Sequence, residues 1–329
     1  TIIDARDNNT YKFVDIGEQT WLAENLRYLP AINNPYEYSV TEPHYYVYNY
    51  AGNNLNEVKG WDNYHTFGVF YNYPSTVNVC PAGWRLPVKE DIEELASYLA
   101  DNGYNFDGST GGKGAKIAKS LASKDYWVIN PEEEEIVEMG AIALPTHLEY
   151  QNKSGFNALP SGFFNAEENT FGSIGLGAAW WLADVYSEYE SGLYMLNSNA
   201  PLLGWSEDEN MTFENYLGFA VRCLKGEQTI TALEFWQSEK ALFKGQDETL
   251  NLKTEPANAS RRDLKWTSSD KSVATVDNNG KVTPLKVGTA TITVATADGK
   301  TSASLEVNVF LRVTGVTLET EYLKLEKDS

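Results

Sequence analysis

The spacing of apolar positions changes character along this chain, and the changes divide it. Tyr11-Lys12-Phe13-Val14-Asp15-Ile16-Gly17 alternates, Gly17-Glu18 reads as a turn, and Thr20-Trp21-Leu22-Ala23-Glu24-Asn25-Leu26 resumes, so a β-hairpin is predicted. Residues 30–66 are rich in Asn, Pro and Tyr and keep no period, which predicts a long loop region. Phe67-Gly68-Val69-Phe70-Tyr71 is a short apolar strand. The pattern then turns helical, with Ile92, Leu95, Ala96 and Leu99 recurring at steps of three and four. Pro87 suits the first turn, where its missing N–H costs nothing. Glu90 and Asp91 meet the positive end of the helix dipole, and Gly103 stands where a left-handed C-cap ends the run. A second helix is predicted over residues 115–123, with Ile117, Ala118 and Leu121 on one face. From Ser154 the texture is short strands and glycine turns: residues 154–164, 179–183 and 192–197, a polar loop over 204–215, and a closing run over 217–224.

Beyond Gly226 alternation is the rule. Ile230-Thr231-Ala232-Leu233, Thr249-Leu250-Asn251-Leu252, Leu264-Lys265-Trp266, Val273-Ala274-Thr275-Val276, Gly288-Thr289-Ala290-Thr291-Ile292-Thr293-Val294 and Ser304-Leu305-Glu306-Val307-Asn308-Val309 are separated by turn signals such as Asn278-Asn279-Gly280 and Asp298-Gly299. Strands at this spacing predict a β-sandwich of about 85 residues. Val313-Thr314-Gly315-Val316 then repeats Ile230-Thr231-Ala232-Leu233, and Leu325 falls where Leu242 does, at an offset of 83 residues. Residues 313–329 therefore read as the first strands of a second sandwich, which implies a longer protein with tandem repeats.

Composition sharpens this division. The chain has 329 residues, 42% of them hydrophobic, enough for two domains. Residues 1–229 carry 13 Lys and Arg against 32 Asp and Glu, whereas residues 230–311 carry 10 of each. The first segment also holds 19 of the 20 tyrosines and seven of the nine tryptophans. An acidic, aromatic-rich body is thus followed by a neutral, Thr- and Val-rich one. Acidity argues against nucleic acid and anionic membrane surfaces as partners, and no apolar run reaches the length of about 18 residues a membrane span needs. Thr1-Ile2-Ile3-Asp4 offers neither an initiator methionine nor a leader pattern, as in a processed or trimmed chain.

Candidate chemistry is sparse. His44, His65 and His147 have no neighbours at metal-ligand or triad spacing, so they read as ordinary polar or core residues. Gly111-Gly112-Lys113-Gly114 lacks the strand and spacing of a phosphate loop. The acid run over residues 132–135 reads as a solvated face rather than a metal site, because adjacent carboxylates diverge. Tyr45, Tyr46, Tyr48 and Tyr50 either pack their loop onto the core or form an aromatic surface for a ligand. The chain's two cysteines, Cys80 and Cys223, are either a disulfide stapling the helix entrance to the closing run or two buried thiols. A disulfide would place the protein outside the cytoplasm.

Taken in order, residues 11–26, Cys80-Pro81-Ala82-Gly83-Trp84-Arg85-Leu86-Pro87, Ser154-Gly155-Phe156-Asn157-Ala158-Leu159-Pro160-Ser161-Gly162, Trp180-Trp181 and Gly218-Phe219-Ala220-Val221-Arg222-Cys223 resemble the Fibrobacter succinogenes major paralogous domain. That family is similar to the C-type lectin-like fold and to the formylglycine-generating sulfatase-modifying domain. The resemblance implies an α+β C-type lectin-like domain with two helices, a twisted antiparallel sheet and long loops, in secreted or surface proteins of Bacteroidetes and relatives. Trp266-Thr267-Ser268-Ser269-Asp270, Val273-Ala274-Thr275-Val276, Gly280-Lys281-Val282-Thr283 and Gly288-Thr289-Ala290 resemble the group 2 bacterial immunoglobulin-like domain, an all-β sandwich in which Trp266 is expected in the core. The expected division is residues 1–226, 227–311, and a truncated repeat over 312–329.

The enzymatic relatives of that first fold use a copper-binding or redox cysteine pair close together near the end of the domain. Here the only late cysteine is Cys223, so no enzyme is expected. Lectin-like folds meet their ligands on the long loops before the last strand. That region holds Tyr186, Tyr189, Trp205, Glu207, Asp208, Glu209, Asn210 and Asn215. Rings offer flat faces to a sugar, while carboxylates and amides supply directional hydrogen bonds. Trp205-Ser206-Glu207-Asp208 loosely resembles the Trp-Asn-Asp calcium motif of sugar-binding lectins, which makes Glu207 and Asp208 candidate calcium ligands. The opposing reading has Trp205 filling the core and the acids only solubilising the loop. The expected function is a non-enzymatic, extracellular or cell-surface adhesin: a lectin-like domain on an immunoglobulin-like stalk, binding glycan. The alternative is a structural subunit of a fimbria or surface layer that binds a protein partner.

Overall fold

The computed structural model describes residues 1–130, 137–206 and 212–312. The acid run over 132–135, the candidates Glu207, Asp208, Glu209 and Asn210, and the repeat over 313–329 lie outside the described residues.

The predicted hairpin forms, with Phe13–Ile16 paired to Gln19–Leu22 and Gly17 taking φ +63° at the turn. It is half of a four-stranded sheet in the order Phe13–Ile16, Gln19–Leu22, Leu224–Lys225, Trp84–Arg85. The last strand of the unit thus lies between its first hairpin and the strand that enters the helix. Cys80 and Cys223 are joined as a disulfide beside this junction. Of the two readings open for the cysteines, the structure takes the disulfide. Closing a loop of 143 residues removes about 5 kcal/mol of unfolded-chain entropy in the loop-closure picture.

The helix runs over Lys89–Asp101 and buries Ile92, Leu95, Ala96, Leu99 and Ala100; Val88 is its N-cap, so Pro87, expected in the first turn, lies just outside it. Its first turn is served by two carboxylates. Asp91 accepts from Val88 N at 2.8 Å, and Asp184, from a distant strand, accepts from Lys89 N at 2.8 Å. Asp91 is also clamped by Arg85, at 2.5 and 2.7 Å. Gly103, φ +80°, turns the chain beyond the helix as expected.

The second helix is shorter than predicted. Only Ala118–Leu121 is helical, because Ala122 leaves the helix to bridge Ala158 and Ser123 N donates to Ala158 O at 2.8 Å. The apolar face still holds: Ile117, Ala118 and Leu121 are buried. Phe67, expected in a strand, ends the helix Asp62–Phe67, and only Phe70–Tyr71 is extended, against Tyr45–Tyr46.

The larger sheet pairs Gly177–Val185 with Glu190–Asn197, which also pairs Leu203–Trp205 and Phe213–Glu214. Successive strand residues point to opposite faces, so Trp180 and Trp181 serve different cores. Trp180 stacks on Tyr194 at 4.9 Å, while Trp181 meets Phe219 at 4.9 Å and donates from Nε1 to Tyr71 O at 2.7 Å. Both indoles are fully buried, each contributing of order 5 kcal/mol of gross transfer free energy. Beside Trp180 lies the fully buried Arg222, which donates to Asn25 Oδ1 at 2.8 Å and to Phe156 O. Asn25 also accepts from Trp180 Nε1 at 2.8 Å.

The loop tyrosines pack onto neighbouring rings, and Tyr45 is also left partly exposed. Tyr46 and Tyr50 are buried, and Tyr46 meets Phe164 at 4.3 Å, Tyr48 meets Phe171 at 5.2 Å and Tyr45 meets Tyr71 at 5.9 Å.

The second body is a β-sandwich. One sheet has the order Glu239–Phe243, Ser302–Phe310, Gly288–Ala295, Lys265–Ser268, its first pair parallel. The other strands are Glu248–Thr249, Lys281–Pro284 and Ala274–Val276, with Ala232–Phe235 on Leu252–Glu255. The core holds Leu233, Phe235, Leu252, Val282, Ile292, Val294 and Val307. Trp266 lies partly buried at its edge, over Gly280, where a Cβ would come within 2.8 Å of the indole.

Candidate binding cleft

The residues singled out before the last strand separate into two groups. Trp205 sits on a strand rather than in a loop, opposite Tyr194, and packs against the main core. Its indole Nε1 is buried with no hydrogen-bond partner among the described residues. Asn215 is buried and its side chain is spent on structure. Oδ1 accepts from Ser191 Oγ at 2.8 Å, and Nδ2 donates to Glu188 O at 3.2 Å. Its backbone N–H donates to Tyr189 O at 2.7 Å. Asn215 therefore clasps the turn that carries Tyr186, Glu188 and Tyr189. Tyr186 reaches Ser206 O with its hydroxyl at 3.4 Å, and Tyr189 is exposed.

That turn faces the sandwich. Glu188 accepts from Gln237 Nε2 at 2.8 Å and from Lys240 Nζ at 3.4 Å, and its carbonyl accepts from Asn251 Nδ2 at 3.4 Å. Across the junction Glu42 accepts from Thr249 N at 3.1 Å and Thr249 Oγ1 at 2.9 Å, with Lys281 Nζ at 3.6 Å. The acidic body thus presents carboxylates, and the sandwich answers with amides, hydroxyls and lysines.

Between these contacts lies a cleft of about 540 Å³, within the range of small-ligand sites. Its walls include Tyr28, Tyr45, Trp236 and Trp266, with Asn251, Asn279, Asn215 and Glu188 among the polar groups. Two rings are pinned by cations: Arg6 lies 3.8 Å from the Tyr28 centroid, and Lys253 Nζ lies 3.5 Å from that of Trp236. At one end three arginines converge on Asn78. Arg6 donates to its carbonyl at 3.2 Å, Arg262 to the same carbonyl at 3.3 Å and to Cys80 O, and Arg261 N to its Oδ1 at 2.9 Å. Of these cleft residues the sequence singled out Asn215 as a site and Tyr45 as one of the tyrosines that pack or face a ligand. The cleft residues come from segments up to 275 positions apart (from Arg6 to Lys281), so no local spacing signals them.

Among the described residues no three His, Cys, Asp or Glu side chains converge as a metal site requires. His44, partly buried, has Nδ1 at 3.0 Å from Tyr46 Oη, and burial holds its pKa below the ordinary value. No helix among the described residues is long and apolar enough to cross a membrane.

A disulfide-closed, mostly β unit followed by a sandwich is the class these features define. The chain belongs to the Fibrobacter succinogenes major domain family, whose model matches residues 14–225, and residues 229–307 match the bacterial Ig-like domain, group 2. A segment of 74 residues, 22% of this chain, is 47% identical to 8% of an uncharacterized protein of Clostridium acetobutylicum. Segments of 20% and 21% of the chain are 44% and 45% identical to 6% each of a 3-O-alpha-D-galactosyl-alpha-L-arabinofuranosidase of Bifidobacterium longum and a lacto-N-biosidase of Bifidobacterium bifidum. The chain thus spans under a tenth of the length of these relatives. Among solved structures, a GH10 xylanase from termite gut containing a bacterial Ig-like domain covers 22% of this chain and 18% of its own, at 32% identity and TM-score 0.18. Domains 4 and 5 of the S-layer protein SbsC cover 36% of this chain and 65% of their own, at 20% identity and TM-score 0.22.

Proposed function

We propose that this chain is an extracellular, non-enzymatic binding module of adhesin type, a lectin-like domain carried on an immunoglobulin-like stalk, and that it binds glycan. The observation carrying this reading is the cleft at the junction of the two bodies, with rings for the apolar faces of a sugar and amides for its hydroxyls. The lectin-like assignment draws support from the disulfide closing the first unit, its single long helix, and the pairing of its last strand with its first hairpin. The disulfide supports an extracytoplasmic setting. The two shared segments in relatives named as glycosidases fit a carbohydrate context.

In this reading Tyr186 and Tyr189 present ring faces on the turn that Asn215 clasps, and Trp205 anchors the strand beneath them. Asn215 and Glu188 join that turn to the cleft. Glu207 and Asp208 follow Trp205-Ser206 and would hold calcium where it is used, with Asn210 a further polar contact for the ligand. The test is a glycan array probed with the whole chain, with calcium and again with chelator. Binding in either condition supports the module, and loss with chelator assigns calcium a role. Silence in both conditions overturns the glycan reading in favour of a protein partner, as in a fimbrial or surface-layer subunit.

A further inference from the structure

Among the described residues, the cations at the cleft have acid partners, with Arg261 the exception. Arg6 is held by Asp4, at 2.6 to 3.2 Å, and stacks on Tyr28. Arg262 lies 3.9 Å from Glu227 and donates to Cys80 O, and Lys281 lies between Glu42 and Asp247 at 3.6 and 3.7 Å. Arg261 is different. Its guanidinium is partly buried in the cleft wall, and its side chain makes one long hydrogen bond, from Nη2 to Thr254 Oγ1 at 3.5 Å. It forms no ion pair among the described residues. Burial lowers its pKa, with only Tyr73 opposing. The backbone of the same residue is fixed by Asn78, so the guanidinium projects from a held base. A guanidinium is a planar fork matched to a carboxylate, and removing such a charge from water without an anion is costly.

The placement is notable for a chain of net charge −20. Arg6 and Arg261 line one end of the cleft, Arg262 joins them at Asn78, and the nearby acids Asp4 and Glu227 are already paired. The local field invites an anion even though the chain as a whole repels one.

We infer that the cleft takes a carboxylated sugar, its carboxylate on the Arg261 guanidinium and its ring among Tyr28, Tyr45 and Trp236. This rests on the glycan reading above and narrows its substrate class. A uronic-acid unit of a polysaccharide and a sialic-acid terminus share this chemistry.

The test is calorimetric titration of the whole chain with oligogalacturonate, sialyllactose, lactose, and the methyl ester of the oligogalacturonate. One of the two acids is expected to bind, which distinguishes the sources, while lactose and the ester bind roughly tenfold to a hundredfold more weakly, as a lost charge-assisted bidentate contact demands. Arg261→Gln is expected to lose the acid preference, leaving residual affinity equal for acid and ester. Because that variant could fail to fold, salt dependence of the unmodified chain is a second readout: acid binding should weaken from 50 to 500 mM NaCl and ester binding should not. Equal binding of acid and ester by the unmodified chain, or an unaltered acid preference in folded Arg261→Gln, overturns the inference and leaves the glycan reading standing. Absence of binding to every sugar, with a silent glycan array, removes both.

Discussion

Asp184 offers the most discriminating test of the first unit. Burial pushes its carboxyl up to about 6 from 3.8, with Glu90 and Asp91 adding repulsion while the Lys89 N–H opposes. The folded state therefore holds a proton on this group between about pH 4 and pH 6 that the unfolded chain has released. Stability falls as pH rises through that window, and the deficit is complete above pH 6. A difference of about two pKa units corresponds to about 3 kcal/mol, and partial solvent contact brings the accessible share to about 1–2 kcal/mol. Asp184→Asn keeps an oxygen for Lys89 N–H but removes the charge. Unfolding in urea should show the variant more stable by about 1–2 kcal/mol at pH 7.5 and within about 0.5 kcal/mol of the parent at pH 4. The helix itself argues the other way, since a carboxylate at its N-terminus is ordinarily stabilising. Asp91 already occupies that position, so the second charge is surplus. Equal gains at both pH values, or a loss at pH 7.5, would refute this.

Three further outcomes follow from the fold. Thiol titration of the denatured, unreduced chain should find no free sulfhydryl and two after reduction, and the Cys80→Ala/Cys223→Ala variant should lose up to about 5 kcal/mol. Asn215→Ala removes the Ser191 Oγ acceptor and one of the two donors to the Glu188 carbonyl, so about 1–2 kcal/mol of stability should go, with faster amide exchange in the 186–190 turn. Gly162→Ala puts a Cβ 2.0 Å from Gly172 O at φ +62° and should lower Tm by about 6–12 °C, while Gly83→Ala, at φ +79° with nothing within 4 Å, should lower it far less.

Local signals carried much of the architecture. The hairpin at Gly17, the helix carrying Ile92, Leu95 and Leu99 with Gly103 beyond it, and the alternating runs beyond Gly226 are each decided within a few residues, where φ preference and apolar period act directly. The misread stretches are those where a distant partner prevails. Helix propensity runs through Ser123, but the backbone of Ala158 recruits Ala122 and ends it. Trp205 reads as a loop aromatic beside acids until its strand finds Tyr194. Asn215 reads as a ligand amide, yet Ser191 and Glu188 consume both ends of its side chain. The cleft was illegible altogether, since Arg6, Asn78 and Arg261 meet only once both bodies are folded.

The position of the disulfide has a mechanical consequence. The chain leaves the first unit through Leu224–Lys225, immediately after Cys223. Tension drawn along the sandwich reaches Cys223 first and crosses the sulfur bridge to Cys80 as a covalent route. Residues 81–222, which include the long helix, the three tryptophans of the large sheet and the Asn215 clasp, form a loop off that route and cannot be paid out by pulling. The strand through which load enters is hydrogen-bonded on both sides, to Trp21 and to Trp84–Arg85. Load that enters through the sandwich and leaves through the N-terminal segment therefore bypasses the 81–222 loop.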